Sequence, residues 1–152
     1  MDKRFEMLIS NAKNNHYCCY NAKIKDGTDC LLIVRQETGV MFAYIIENDQ
    51  IEKVGECRFI IRKSHRTLRV DLLRVRKDLR SNGIGSKLLE CLADFAQSVD
   101  CEKIFLISSI SATGFYEKIG YERISSADDV RNLIYIKRIE SQKFNTDDLT
   151  NG

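Results

Sequence analysis

Seven residues carry the chain's most specific chemical pattern: Arg80-Ser81-Asn82-Gly83-Ile84-Gly85-Ser86, a positive charge, short polar side chains and two glycines one residue apart. Just upstream, Val70, Leu72, Leu73 and Val75 alternate with charged residues as a strand end does. Downstream, Ile84, Leu88, Cys91 or Leu92, Phe95 and Val99 recur at the spacing of one buried helical face. The seven residues therefore form a turn that opens a helix. The first amides of a helix have no partner within it and carry the positive end of its dipole. Glycines remove side-chain bulk, so an anion can approach several of those amides at once. A pyrophosphate suits such a cradle better than a single carboxylate, because it spans more donors. Each charge-assisted hydrogen bond of this kind is worth roughly 1.5–3 kcal/mol. The same residues also fit ordinary helix capping, with Ser81 or Asn82 at the N-cap.

Two nucleotide-binding patterns are excluded. The dinucleotide fingerprint needs a third small residue where Leu88 stands, and the P-loop needs Gly-Lys-Ser/Thr where the chain has Gly85-Ser86-Lys87.

The elements that must position this turn follow from the rest of the pattern. Residues 2–14 predict a helix with Phe5, Leu8, Ile9 and Ala12 on one face. Residues 16–25 are ambiguous, with strand character in their tyrosines and cysteines. Strands are expected at 30–35, 40–46, 51–62 and 67–75, joined by connectors short enough for hairpins and hence antiparallel. Gly55 marks a candidate bulge. A helix over 84–99 then crosses to a strand at 103–109, giving one parallel pairing with the 67–75 strand. A short helix at 112–119 ends at Gly120, and strands at 121–124 and 133–139 close the sheet. Residues 1–140 are expected to form one domain, with 141–152 a polar, flexible tail.

Composition narrows the function classes. With 152 residues the chain can bury a proper core. Its 43% hydrophobic and 30% charged content is that of a soluble globular protein, with no apolar run near a membrane span and no signal-peptide core. The expectation is a cytoplasmic protein. A net charge of +2 gives no general case for nucleic acid or membrane. Basic residues do cluster from Arg62 to Arg80, either as a solvated hairpin face or, at Arg76, Lys77 and Arg80, as an attraction for a phosphate-rich cofactor. The six cysteines do not form a disulfide framework; Cys57, Cys91 and Cys101 sit within apolar patterns. Adjacent Cys18 and Cys19 lack metal-site spacing, so no metal is expected.

The turn resembles the first signature motif of the GNAT superfamily of N-acetyltransferases: Leu-x-Val, a short loop, then Arg/Gln-x-x-Gly-x-Gly/Ala. Leu73, Val75, Arg80, Gly83 and Gly85 occupy those positions, with Lys77 where a proline is frequent. A second stretch, from Ser109 through Phe115, Tyr116, Glu117, Lys118 and Gly120 to Tyr121, is similar to the family's next motif, with Ser109 in the place often held by asparagine. The order of elements is also similar, most clearly over residues 54–139. The resemblance implies an α/β (α+β) fold with a mixed, mostly antiparallel central sheet. One parallel strand pair would splay at the acetyl-CoA site, with helices flanking the sheet. It implies that the amides and side chains of Leu73, Val75, Arg80, Ser81, Asn82, Gly83, Ile84, Gly85, Ser86, Ser109, Phe115 and Lys118 form the acetyl-CoA site. In the family, helices after the first strand usually roof the acceptor site; no such pair is evident between Cys30 and Val40.

Acyl transfer from a thioester to an amine requires a neutral amine, a base for its proton, a donor to the carbonyl oxygen and an acid for the departing thiolate. A lysine-like amine with a pKa of about 10.4 is almost wholly protonated at pH 7, a handicap of roughly 4–5 kcal/mol. The resemblance gives Tyr116 the acid role and the backbone N–H near Val75 the carbonyl. Asp71, four residues before Val75, is the first candidate base and Glu56 the alternative; each also has arginines nearby to pair with. The expected activity is acetyl transfer to a primary amine of a small molecule or a peptide or protein. The alternative is a non-catalytic acyl-CoA-binding regulatory module, and a nucleic-acid-binding protein is a remote third. The apolar first-half strands leave room for a homodimer.

Overall fold

The computed structural model describes residues 2–126 and 133–140. The expected tail at 141–152 lies outside the described residues. Among the described residues the chain is a mixed α/β fold: eight strands, mostly antiparallel with one parallel pair, and flanking helices. Its contacts divide into two compact units, Met1–Ile60 with Arg69–Leu92 and Ile61–Leu68 with Ala93–Gly152.

The first unit opens with helix α1, Lys3–Asn14. Strands β1 (Cys18–Lys23), β2 (Asp29–Arg35), β3 (Val40–Glu47) and β4 (Gln50–Arg62) follow as an antiparallel meander, each pairing with the next. The ambiguous 16–25 segment is thus a strand. Strand β5, Thr67–Val75, has the bounds its alternation predicts. Helix α2, Ile84–Ser98, begins within this unit. One face of the meander is sealed by α1, where Phe5 and Ala12 pack with Leu31 and Ile33. Leu31, Leu32, Met41, Leu88 and Leu92 are fully buried, each contributing roughly 1.5–3 kcal/mol over the exposed state. The β2–β3 hairpin depends on Gly39, whose φ of +65° is left-handed and whose missing β-carbon would run into the Phe59 carbonyl. In its place the Phe59 amide donates to the Gly39 carbonyl at 2.8 Å.

In the second unit, β6 (Lys103–Ile107) is followed by a 3₁₀ turn at Ile110–Ala112, and then by helix α3 (Thr113–Lys118), β7 (Glu122–Arg123) and β8 (Ile134–Arg138). Strand β8 pairs antiparallel with both β6 and β7. Gly120 ends α3 at φ +94°, its amide donating to the Glu117 carbonyl at 3.2 Å. The predicted 112–119 helix is one residue shorter at each end, with Ile110–Ala112 wound into a 3₁₀ turn ahead of it and the Thr113 hydroxyl donating to the Ile110 carbonyl.

Asp2 caps α1. Its carboxylate accepts from the Arg4 amide at 2.8 Å and from the Arg4 guanidinium at 2.9 and 3.0 Å. The Arg4 hydrogen bonds pull its pKa down to about 2 from 3.8. A depressed carboxylate stabilises the fold above its unfolded pKa, and that contribution fades as pH falls through the folded one. Acid unfolding should therefore steepen between about pH 4 and 2, and Asp2→Asn should flatten that limb in a denaturant titration repeated at each pH.

Cys30, Cys57, Cys91 and Cys101 are buried and behave as small hydrophobes. Burial pushes the Cys57 thiol up to about 12 and that of Cys30 up to about 11, whereas Cys18 is exposed. Since only the thiolate reacts, an aromatic disulfide reagent at pH 8 should label Cys18 rapidly. Cys30 and Cys57 should react only after denaturation. Fast labelling of either in the native state would contradict the fold.

Candidate active site

The pairing of β3 with β4 shifts once. Ala43 faces Gly55 but Tyr44 faces Lys53, leaving Val54 as an extra residue on β4. This is the bulge that Gly55 marks in the sequence. It turns the Val54 carbonyl toward the Arg76 amide, which donates to it at 2.8 Å. Gly55 itself lies beneath α2: a β-carbon there would stand 3.0 Å from Leu88 Cδ1, 3.1 Å from Ile84 Cγ2 and 3.3 Å from Ala43 Cβ. The helix sits low because this residue has no side chain.

Beyond Val75 the chain does not run as an open loop. It winds into a 3₁₀ turn, Lys77–Asn82, that ends at Gly83 with φ +83° and ψ 12°. Helix α2 starts at the next residue, and its Lys87 amide donates to the Gly83 carbonyl at 3.1 Å. Gly83 therefore stands at the cap position that Ser81 and Asn82 compete for in the sequence. Asn82 serves instead as an anchor, its carbonyl accepting from the Lys25 amide at 3.0 Å. Ile84 and Gly85 are buried, Ser81 and Arg80 exposed, and Asn82 and Ser86 half-buried.

Beside this turn lies a cleft of about 410 Å³, lined by residues 53–56 of β4, residues 74–77 and Arg80. Five of the lining residues are basic, and Arg76 is ion-paired: it bonds Asp78 at 2.8 Å and Glu47 at 2.9 Å, which hold its guanidinium above the ordinary arginine range. Lys53, Arg74, Lys77 and Arg80 have no ion pair among the described residues. Arg80 reaches the Val75 carbonyl at 3.5 Å. Such a wall suits a ligand carrying several negative charges.

The candidate bases differ in setting. Glu56 lines the cleft, with 14% of its side chain exposed, and is met by Arg58 at 3.2 Å. Asp71 is not part of the cleft wall; its two oxygens accept from Arg69 at 2.7 and 3.4 Å. Leu73 is half-buried on β5, and Val75 lines the cleft. Lys53 was missing from the sequence-derived set. Its position depends on the Val54 bulge, since the unshifted pairing would place it on the other face of β4.

The second motif lies in the second unit. Tyr116 is 8% exposed and packs edge-on against Phe115 and Tyr121, with ring centroids 5.2 and 5.8 Å away, and beside Tyr135 at 6.2 Å. The Tyr135 hydroxyl donates to Glu117 at 2.8 Å. Ser109 is exposed, its hydroxyl 3.2 Å from that of Ser111, and Lys118 is exposed as well. Among the described residues no cluster of three or more His, Cys, Asp or Glu could hold a metal ion. Nor is any helix among them long and apolar enough to cross a membrane.

The sheet, mostly antiparallel with one parallel pair, carries a basic, glycine-closed turn at the start of its long helix. The sequence profile of the acetyltransferase (GNAT) domain matches residues 21–137, most of the chain, and the protein belongs to the GNAT acetyltransferase family. Solved structures agree. A GNAT-family acetyltransferase from Staphylococcus aureus Mu50 is 26% identical, with a TM-score of 0.55 over 68% of this chain and 70% of that one. An acetyltransferase from Bacillus cereus ATCC 14579 is 25% identical, with a TM-score of 0.53 over 69% and 79%. The fold is shared with the N-acetylglutamate synthase of Neisseria gonorrhoeae, solved with coenzyme A and N-acetyl-glutamate. That match has 14% identity and a TM-score of 0.56, covering 69% of this chain and 26% of that one. No curated protein sequence matches the chain.

Proposed function

We propose that this acetyltransferase moves the acetyl group of acetyl-CoA directly onto a primary amine of a small molecule or peptide. The observation that carries the proposal is the cleft wall. Arg74, Lys77 and Arg80 line it without carboxylate partners among the described residues, close in sequence to a helix start whose capping residue is a left-handed glycine. Acetyl-CoA would supply the activated thioester and a set of phosphates. The residues fit it: the α2 amides from Ile84 onward hold the pyrophosphate, while the cations hold the rest of its charge.

In the transfer, the amine nitrogen bonds the acetyl carbon as the carbon–sulfur bond breaks. The amine proton leaves to a base and the thiolate gains one from an acid. We assign the base to Glu56, because it lines the cleft, and keep Asp71 second, because Arg69 holds both its oxygens. Tyr116 is assigned the acid from its place in the family's second motif. The Val75 region supplies the amide for the carbonyl oxygen.

Calorimetry with acetyl-CoA and with coenzyme A, followed by thiol release across an amine panel, tests the reading. Saturable heat and amine-dependent thiol release are expected. Well-folded protein that gives no heat with either ligand removes the proposal, and binding without transfer to any amine would favour a regulatory acyl-CoA-binding module.

A further inference from the structure

One face of the first unit carries two cations, Arg35 and Lys53, that have no ion pair among the described residues. The sheet register places three rows across it: Arg35, Val40 and Arg58; Ile33, Phe42 and Glu56; Leu31, Tyr44 and Lys53. Facing residues of neighbouring strands share a side of the sheet. Helix α1 covers the Leu31–Ile33 edge of this face, while Lys53 and Glu56 at the other edge line the cleft. Glu56 is the only carboxylate in these rows, and Arg58 already holds it.

That leaves Arg35 and Lys53. The Lys53 ammonium stands 4.5 Å from the Phe42 ring centre, and the Arg35 guanidinium 5.6 Å from the same ring and 5.2 Å from that of Tyr17. Neither has an ion pair among the described residues, and Arg35 Nε is buried with no hydrogen-bond partner. A cation–π contact returns less than an unsatisfied buried donor costs, and a charged donor costs more still. Two like charges on one ring with an orphaned donor make a poor structural device but a prepared one for an anion. Arg35 has a planar fork that matches a carboxylate.

We propose that the acceptor amine carries a carboxylate, and that Arg35 and Lys53 hold it over the Phe42 ring. This rests on the amine-acetylation reading above and narrows it to amino-acid-like substrates. The ring supports the acceptor's carbon skeleton, and the cations orient the amine toward Glu56.

The test uses matched pairs: β-alanine with its amide, and glutamate with its α-amide. Each is assayed for acetylation and titrated by calorimetry into the coenzyme A-loaded protein. The acids should show KM and Kd at least tenfold below their amides, with kcat little changed. Arg35→Gln and Lys53→Gln should each shrink that preference to within about twofold while coenzyme A binds as before. Thermal melting checks that both variants are folded, and Arg35→Lys should restore part of the preference. Equal affinity for acid and amide, binding of neither, or a preference that survives both variants would overturn the inference. So would a loss confined to coenzyme A affinity, which would reassign the two cations to the co-substrate. Transfer to neutral amines alone would remove this inference and leave the proposed activity standing; absence of coenzyme A binding would remove the activity itself.

Discussion

Tyr116→Phe is expected to lower turnover about 100-fold, the low end of what a positioned general acid contributes, while acetyl-CoA affinity stays within about twofold. The substitution suits the question because of how the ring is held. Tyr116 is a buried member of a four-ring cluster with Phe115, Tyr121 and Tyr135, and phenylalanine preserves every ring contact. Melting curves check that the variant stays folded. Coenzyme A's thiolate, with an ordinary pKa near 8.5, leaves poorly without a proton when the attacking amine is itself easily expelled. The pH profile supplies a second readout: the variant should lose its rate limb at high pH, where the wild type requires a protonated acid. A drop in kcat matched by an equal weakening of acetyl-CoA binding would mean that the hydroxyl grips the co-substrate instead.

Gly83→Val should raise the Kd for acetyl-CoA by about 100-fold, equivalent to roughly 3 kcal/mol, or one to two charge-assisted hydrogen bonds. Crowding is not the reason. A β-carbon at Gly83 would meet only the Lys25 side chain, at 3.6 Å and beyond, an ordinary contact. The backbone is the reason: a φ of +83° is left-handed, and a β-branched residue there is strained. Relieving that strain rotates the cap residue, and the α2 amides that follow change direction with it. Gly83→Asn should fall in between, since asparagine tolerates the left-handed region. Calorimetry measures the affinities, and melting curves separate the local effect from general unfolding. Unchanged affinity in a folded valine variant would mean that the pyrophosphate does not use this turn.

Much of the fold was legible because alternation and connector length both act locally. The hairpin strands β2 to β5 came within a residue or two of their observed ends, and β5 matched at both. The bulge was legible too, since Gly55 interrupts a long strand pattern. The turn before α2 was only half legible. Its glycines marked a helix start, but Ser81 and Asn82 are such good caps in general that nothing local gave the position to Gly83. The choice is made by Lys25, whose amide takes the Asn82 carbonyl from more than fifty residues away. The candidate site shows the same division. Glu56 and Arg80 were named from the chain, but Lys53 and Arg35 were not. Which face Lys53 occupies depends on one extra residue, Val54, and Arg35 meets Phe42 only through the register of two hairpins.

The bare backbone at Gly55 sets the height at which α2 rests on β4, and so the depth at which that helix presents its leading amides. Adding one methyl there would lift Ile84 and Leu88 by a few tenths of an ångström, too little to unfold the sheet yet comparable to the tolerance of a hydrogen bond. Gly55 thus works as a spacer of zero thickness. Grip on the proposed co-substrate can be retuned from beneath the helix, through backbone height alone.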